Sequence, residues 1–387
     1  MLDVPSITIF GFNIVKFAVD LGNAYMLFLV VSLSLNLEAG YTGVPNFGKV
    51  MFMAGGAAIS AAVCGQLAVF ILGVNVHGNY NGYIVTVINQ VNASLSKSPL
   101  LSVELVLLGT ILAAGIGGLL GFLASYPAIR LREDYLGMLL LASAQFFQIF
   151  LGAYYPLIGG TQGISVPDFF GWAGNGIGVR DVAILGFLSV FALLVYVYAE
   201  RIARSPLGRT LRAVRDNETA TRALGKNDIA IRRNVIIIAS AIAAMAGALL
   251  TFQVASIGPG TWDRITWTFY IWVMVIIGGS GNNLGVALGA LSFTSLFDVI
   301  TQLQNSIPSD LPIEVNWLRY LLFATLLISI LAFRPGGILP EKSSLTIQKN
   351  KLSMIIKSAN VLEVRTVSSS GEKFLADRTS RDSKTTD

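Results

Sequence analysis

The hydrophobic residues of the chain fall into long runs, and short polar segments separate most of these runs. Six runs are plainly long enough to cross a bilayer, because a hydrocarbon core of about 30 Å takes roughly 20 helical residues. They cover about residues 17–37, 47–73, 103–125, 135–158, 181–199 and 234–254. The pattern therefore predicts an all-α, polytopic membrane protein.

A further apolar region, residues 265–300, is interrupted by the glycine-rich tract 278–285. This region predicts either two short spans or a re-entrant pair, and a last short span follows at about 317–333. Together the runs predict about 8–9 transmembrane helices with broken or re-entrant segments. Gly117 and Gly121 have the Gly-x-x-x-Gly spacing at which two membrane helices approach closely, so we expect close packing there.

Basic residues are concentrated in one connection, which indicates the orientation of the chain. Residues 200–233 contain nine Lys and Arg residues, whereas the long connection 74–102 contains only Lys97. Because short loops rich in Lys and Arg are retained on the cytoplasmic side, we expect the segment 200–233 inside. Counting spans from there predicts a multi-pass protein of the cell membrane with its N-terminus outside and its C-terminus in the cytoplasm.

The end of the chain differs in composition from the rest. Residues 341–387 are polar, rich in Ser, Thr, Lys and Asp, and have too few apolar residues to bury a core. We therefore predict two parts, a transmembrane domain at 1–340 and a disordered or partner-dependent cytoplasmic tail at 341–387.

Composition also excludes several classes of function. Of the 387 residues, 54% are hydrophobic and 13% are charged, with a mean hydropathy of +0.67. Soluble domains carry about 25% charged residues, so this is not the composition of a soluble enzyme. The chain has one Cys and one His, Cys64 and His77, too few for a disulfide or for a zinc or iron–sulfur site. We expect no metal site and no catalytic residue, so the composition disfavours a membrane enzyme.

Charged residues lie near the ends of the predicted spans, and we find none at mid-span. Those near the ends are Asp20, Lys49, Glu104, Asp181, Asp298 and Arg319. Many secondary transporters bind their coupling ion with buried carboxylates or a His relay, so this pattern argues against an ion-driven transporter, which stays open as an alternative. Asn36 lies inside a span, and a hydrogen bond to another helix is favoured there over contact with a substrate.

The basic segment carries signals for two short helices. Ser205, ahead of a proline, can cap the first helix, Asp216 can cap the second, and Gly225 can end it. Glu218 and Arg222 stand four residues apart in the order that stabilises a helix. On these grounds a docking surface for a cytoplasmic partner and a simple membrane anchor are equally supported.

Five stretches of the sequence occur in a characteristic order. They are Leu35 to Gly43, Gly159 to Gly163, Gly208 to Gly225, Gly278 to Gly285 and Phe333 to Leu339. In this order and spacing, across about residues 20–340, they resemble the LivM-like permease subunits of bacterial and archaeal branched-chain amino acid ABC importers.

The resemblance implies a transport subunit that binds no cofactor of its own. The domain 1–340 would be the permease, working with a second, dissimilar permease subunit. Two ATPase subunits would hold ATP and Mg²⁺, and an external binding protein would deliver Leu, Ile, Val or a related molecule. The resemblance also implies that the basic segment couples hydrolysis to transport, with the short helix from Glu218 to Gly225 resting in a groove of an ATPase subunit. The coupling residues would be Arg215, Asp216, Glu218, Ala220, Arg222 and Gly225.

The substrate itself is less closely specified. Pro45 and Lys49 stand where the family usually has Ser and His, so urea, amides and other small polar solutes stay open as alternatives. Backbone groups exposed at a helix break can bind a carboxylate or an ammonium group without a buried charge. On this basis we predict a substrate path formed by Tyr41, Thr42, Gly43, Asn46, Gly278 and Gly279.

Overall fold

The computed structural model describes residues 8–9, 12–74, 80–131, 133–174, 178–306 and, with short gaps, 321–341. Within these residues the fold consists of long helices, short connecting turns and two small β-ribbons. The α-helices are α1 (Ile14–Leu35), α2 (Lys49–Ile71), α3 (Tyr80–Leu95), α4 (Pro99–Arg130), α5 (Glu133–Ala153), α6 (Tyr155–Ile158), α7 (Val179–Arg204), α8 (Pro206–Asp216), α9 (Glu218–Ala223), α10 (Asp228–Val254), α11 (Tyr270–Gly278) and α12 (Asn283–Ser306). Two π-helical turns, Asn36–Gly40 and Ile265–Phe269, extend α1 and precede α11. The antiparallel ribbons pair β1 (Thr8–Ile9) with β2 (Phe12–Asn13) and β3 (Ile164–Ser165) with β4 (Ser256–Ile257).

Seven helices among the described residues are long and apolar enough to cross a membrane. They include all six spans predicted from the apolar runs, and the seventh is α12. The prediction of an all-α, polytopic membrane protein is therefore confirmed. Every described residue between 321 and 333 is helical, where the last short span is predicted, whereas residues 317–320 lie outside the described residues.

The interrupted region forms two antiparallel helices, α11 and α12. The rings of Tyr270 and Phe293 lie 5.1 Å apart near one end of the pair. At the other end the two backbones meet, because a Cβ on Gly278 would lie 2.3 Å from the carbonyl oxygen of Gly285. The connecting turn contains Gly279 with a φ of +105°, which side chains rarely allow. The glycine tract is thus a tight turn between helices.

Close backbone contacts hold α2, α4 and α10 together. Cβ atoms added to Gly117 and Gly121 of α4 would lie 2.3 Å from the Ala244 side chain and 2.7 Å from the Ser240 side chain of α10. A Cβ on Gly56 of α2 would lie 2.4 Å from the carbonyl oxygen of Ala244. Small residues allow this approach in a membrane bundle, and the close packing predicted for Gly117 and Gly121 is confirmed.

We call the end of the bundle that carries α8 and α9 the basic end. The break between α1 and α2 lies at this end, since Arg215 of α8 hydrogen-bonds the carbonyl oxygen of Gly40. The turn after α11 lies there too, because Gly281 hydrogen-bonds the side chain of Asn36. Of the predicted tail, 341–387, all but Glu341 lies outside the described residues.

The long connection 74–102 contains α3 and lies at the end opposite the basic end. The N–H of Asp168 donates to the side-chain oxygen of Asn92 on α3 (2.9 Å). Arg180 of α7 donates to the Asp168 carboxylate (2.8 Å) and to the carbonyl oxygen of Gln253 on α10 (2.7 Å). These contacts join α3, the connection before α7 and the end of α10 into an ordered layer.

Candidate substrate path and coupling segment

The chain leaves the helical conformation between α1 and α2, where its glycines and polar residues predict a break. Gly43 has a φ of +76°, a conformation that glycine adopts readily. The N–H of Val44 donates to the carbonyl oxygen of Glu38 (3.0 Å), and the Thr42 hydroxyl donates to that of Leu37 (3.0 Å). The break is therefore closed by its own hydrogen bonds.

Two of the predicted substrate-path residues, Gly43 and Asn46, lie in this break, and Tyr41 and Thr42 directly precede it. The side chains of Tyr41, Thr42 and Asn46 are buried. The Asn46 side-chain oxygen accepts a hydrogen bond from the N–H of Gly48 (2.8 Å), and its carbonyl oxygen accepts one from the indole of Trp272 (3.2 Å). These contacts show how the protein holds the break, and contact with a substrate stays a prediction.

The other two predicted substrate-path residues, Gly278 and Gly279, pack against the backbone near the end of the described chain. The N–H of Leu339 donates to the carbonyl oxygen of Gly278 (3.1 Å). A Cβ on Gly279 would lie 2.4 Å from the Leu339 carbonyl oxygen. Glycine is required here by the close approach of the segment 336–341.

Amide side chains join the two predicted parts of the substrate path. The Asn36 amide donates to the side-chain oxygen of Asn283 (2.9 Å) and accepts from the N–H of Gly281 (2.9 Å). Asn283 in turn donates to the carboxylate of Glu200 on α7 (2.9 Å). The prediction that Asn36 bonds a neighbouring helix is confirmed, and the break, the turn at 279–282 and α7 form one network.

A buried ion pair spans the break, and the sequence analysis missed it. The Lys49 ammonium lies 2.6 Å from the Glu38 carboxylate, and both side chains are 0% exposed. Both residues stand beside the ends of predicted spans, where a charge ordinarily reaches water. The sequence signal that could have predicted the pair is the presence of one Glu and one Lys on opposite sides of a helix break.

The helix α8 packs its apolar side on the bundle. The Ser205 hydroxyl accepts a hydrogen bond from the N–H of Gly208 (3.4 Å), so the predicted start of this helix is confirmed. Leu211 and Val214 are buried. These contacts fix α8 against the end of α7.

Two arginines of α8 reach the break and the end of the described chain. Arg215 donates to the carbonyl oxygen of Gly40 (2.5 Å) and pairs with Glu341 (2.8 Å). Arg212 also pairs with Glu341 (2.7 Å) and lies 5.2 Å from the ring centre of Tyr41, within the range of a cation–π contact. Burial lowers the pKa of Arg215, but its carboxylate partners outweigh this effect and raise that pKa above its usual value.

The second short helix is capped by a different residue from the one predicted. Asp216 was expected to cap it, but the cap is Asn217, whose side-chain oxygen accepts from the N–H of Ala220 (2.9 Å). Asp216 instead ends α8 and pairs with Arg215 (3.2 Å). Gly225 follows the last turn with a φ of +73°, which confirms the predicted end.

Ion pairs attach α9 to the first turns of α10. Glu218 and Arg222, predicted to pair along the helix, are 3.7 Å apart, but each has a closer partner. Arg222 makes two hydrogen bonds to Asp228 (2.8 and 2.7 Å), which raise the pKa of Arg222 above its usual value. Glu218 pairs with Arg232. The short helix is thus held in place from one side.

The other side of α9 is open to solvent and partly apolar. Leu224 is 80% exposed, and Ala220 and Ala223 are exposed beside it. A Cβ on Gly225 would have no atom within 4 Å. Small side chains around one projecting leucine form a surface that another protein can approach closely.

The described part of the chain contains no group of three His, Cys, Asp or Glu residues that could hold a metal ion. The Cys64 thiol is buried and donates to the carbonyl oxygen of Leu105 (3.4 Å). His77 lies outside the described residues.

Comparison with known proteins points to transport. The family described as "Branched-chain amino acid transport system / permease component" matches residues 17–331. A probable branched-chain amino acid transport permease protein, LivM, of Methanocaldococcus jannaschii is 34% identical over 332 residues, which are 85% of this chain and 95% of that protein. The high-affinity LivM permease of Escherichia coli is 29% identical over 244 residues, 57% of this chain and 54% of the relative. No solved structure matches the chain.

Proposed function

Because this chain belongs to the family of permease components of branched-chain amino acid transport systems, we propose that it is a membrane subunit of an ATP-driven amino acid importer. Its substrates are leucine, isoleucine, valine or closely related amino acids, in line with the names of its relatives. The chain forms part of the path and carries out no catalytic step itself.

The proposed complex contains four kinds of subunit. This chain pairs with a second, dissimilar permease subunit, and two ATPase subunits bind to both. An external binding protein delivers the amino acid. ATP and Mg²⁺ are bound by the ATPase subunits, so this chain requires no cofactor.

In this proposal the basic end faces the cytoplasm. The segment 200–233 contains nine of the 27 Lys and Arg residues of the chain, and such segments are retained inside. The N-terminus is then outside, the C-terminus is cytoplasmic, and the layer around α3 faces the binding protein.

The observation that carries the proposal is that α9 is exposed and at the same time firmly attached. Arg222 and Glu218 fix it to α10, while Leu224 and the open space at Gly225 face outward. A helix that only anchored the chain at the membrane surface would need neither the two attachments nor a small apolar face. A helix that transmits the movement of a partner protein must be attached to the bundle and must also offer that partner a surface.

A movement of α9 can be transmitted through α8 to the transmembrane helices. α9 follows α8 after a single residue, and Arg215 of α8 hydrogen-bonds Gly40 at the start of the break. When ATP binding closes the ATPase subunits, α8 and α9 move together and displace the break. The attached spans then alternate between outward- and inward-open states.

Gly225→Asp tests this role directly. A Cβ at this position meets no atom within 4 Å, so the change places a charge on the docking surface, and the strain of a side chain at positive φ is the same kind as at Gly73. We expect normal membrane insertion but loss of ATP-dependent leucine uptake into vesicles that contain the complete complex. Gly73→Asp is a matched control, because Gly73 also has a positive φ (+63°) and open space around a Cβ. The control should retain uptake.

Wild-type uptake by the Gly225→Asp complex would refute the docking role. The complex itself is tested by gentle purification from native membranes followed by mass spectrometry. Recovery of two ATPase subunits and a second permease is expected. A chain recovered alone, with uptake that collapses on addition of an uncoupler at constant ATP, would instead identify a secondary transporter. Competition of leucine uptake by urea or short amides distinguishes the alternative substrates.

A further inference from the structure

The ion pair between Glu38 and Lys49 stands apart from the other ion pairs of the described residues. Both of its side chains are 0% exposed, whereas every other ion pair within those residues keeps at least one partner in contact with solvent. It also joins two transmembrane helices across their break, since Glu38 lies in the last turn of the first span and Lys49 is the first residue of α2.

Stability alone does not account for such a pair. Removing two charges from water costs several kcal/mol per ion, and replacing a buried pair by apolar side chains is often neutral or stabilising. An ionisable residue placed inside a membrane protein is by default a functional hypothesis. The pair therefore calls for a role that well-packed apolar side chains cannot fill.

The surroundings of the pair indicate that role. The N–H of Gly48, the residue before Lys49, donates to the side-chain oxygen of Asn46 (2.8 Å), and the Asn46 carbonyl oxygen accepts a hydrogen bond from Trp272 of α11 (3.2 Å). The rings of Phe47 and Trp272 stack with their centres 4.8 Å apart. The pair thus holds the break in contact with α11.

The helix α8 contacts the other side of the break. Arg215 hydrogen-bonds the carbonyl oxygen of Gly40, two residues after Glu38. A displacement of α8 therefore acts on the same short stretch of backbone that carries one partner of the ion pair. An ion pair suits this place because the attraction between its charges is strong in a water-poor interior and requires the two side chains to stay in contact.

We propose that Glu38 and Lys49 are positioning residues that fix the helix break in one arrangement and release it when α8 moves. This inference rests on the proposed import function and identifies the helix break as the element that switches between two arrangements. The closed arrangement has the pair formed and the break packed on α11. Separation of the pair frees the segment 43–48 to take its other arrangement.

The experiment compares variants in the complete complex in vesicles, with amino acid uptake and ATP hydrolysis measured together. Glu38→Met combined with Lys49→Met removes both charges and leaves neither one unpaired. We expect it to insert and to bind the ATPase subunits, with a thermal unfolding midpoint near that of the wild type. Uptake per ATP hydrolysed should fall about tenfold. Arg201→Met, which removes an exposed charge at the same end, should leave that ratio unchanged.

The reversed pair, Glu38→Lys combined with Lys49→Glu, is the second variant. It restores attraction across the break, so we expect it to recover most of the lost uptake per ATP. Wild-type coupling in the double Met variant would overturn the proposal. So would a reversed pair that is no better than the double Met variant. Uptake by the wild type that is independent of ATP would instead refute the import function, and the variants would then be compared by uptake alone.

Discussion

The helix break at 43–48 and the turn at 279–282 lie side by side at the basic end, but they are held in partly different ways. The break is held by polar side chains, among them the Glu38–Lys49 pair and Arg215. The turn also accepts polar contacts, such as the hydrogen bond from Gly281 to Asn36, but the two helices that it joins are held by backbone contacts that only glycines allow, such as the approach of Gly278 to Gly285.

The difference indicates which of the two can change its shape. Salt bridges and side-chain hydrogen bonds are among the contacts that rearrange when packed elements move against each other, whereas close-packed backbones resist displacement. We therefore assign movement to the break and a fixed pivot to the turn.

The largest effect is expected from Gly278→Ala in the turn. Its Cβ would lie 2.3 Å from the Gly285 carbonyl oxygen, so the two backbones must separate, at a cost of about 1–3 kcal/mol or more. The thermal unfolding midpoint and the amount of inserted protein should both fall. Gly115→Ala on α4 is the control, because no atom lies within 4 Å of its Cβ. Equal stability of the two variants would show that the turn is not a tightly packed pivot.

An intermediate effect is expected from Arg215→Ala beside the break. This change removes the hydrogen bond to Gly40 and one partner of Glu341, so uptake per ATP hydrolysed should fall about tenfold while insertion persists. Arg215→Lys should also be impaired, because one ammonium group cannot reproduce the planar fork of a guanidinium. Arg209→Ala, on the exposed side of the same helix, should behave as the wild type. If the Arg215→Ala complex keeps the wild-type uptake per ATP hydrolysed, α8 does not act on the break through Arg215.

The smallest effect is expected at the cap of α9, farthest from the break. Asn217→Ala should destabilise this helix by about 1 kcal/mol, whereas Asp216→Ala should change it by less than about 0.5 kcal/mol. Hydrogen exchange of the amides of α9 measures both. Faster exchange in Asp216→Ala than in Asn217→Ala would contradict the assignment of the cap.

Features that depend on local sequence were predicted well. The spans follow from apolar runs, because a bilayer imposes one length on every crossing helix. Ser205 and Gly225 mark helix ends because each acts through its own backbone neighbourhood. Asp216 and Asn217 are both good capping residues, so sequence alone could not choose between them, and the extended backbone of Asn217 (φ −160°) decides.

Features that depend on tertiary contacts were missed or left open. Glu38 lies one residue beyond the predicted first span, 17–37, and its contact with Lys49 arises only because the break folds back on itself. The glycines of the turn look alike in sequence whether they line an open path or a packed crossing. Only the positions of Gly285 and Leu339 show that the described turn is packed.

The pairing of Glu341 with Arg212 and Arg215 also bears on biosynthesis. Both arginines leave the ribosome long before Glu341, which follows the last predicted span. Until that span is in place, α8 lacks the carboxylate that orients its two arginines toward the break. A chain cut before Glu341 therefore leaves Arg212 and Arg215 without this carboxylate partner, so their arrangement depends on a segment made after the last predicted span.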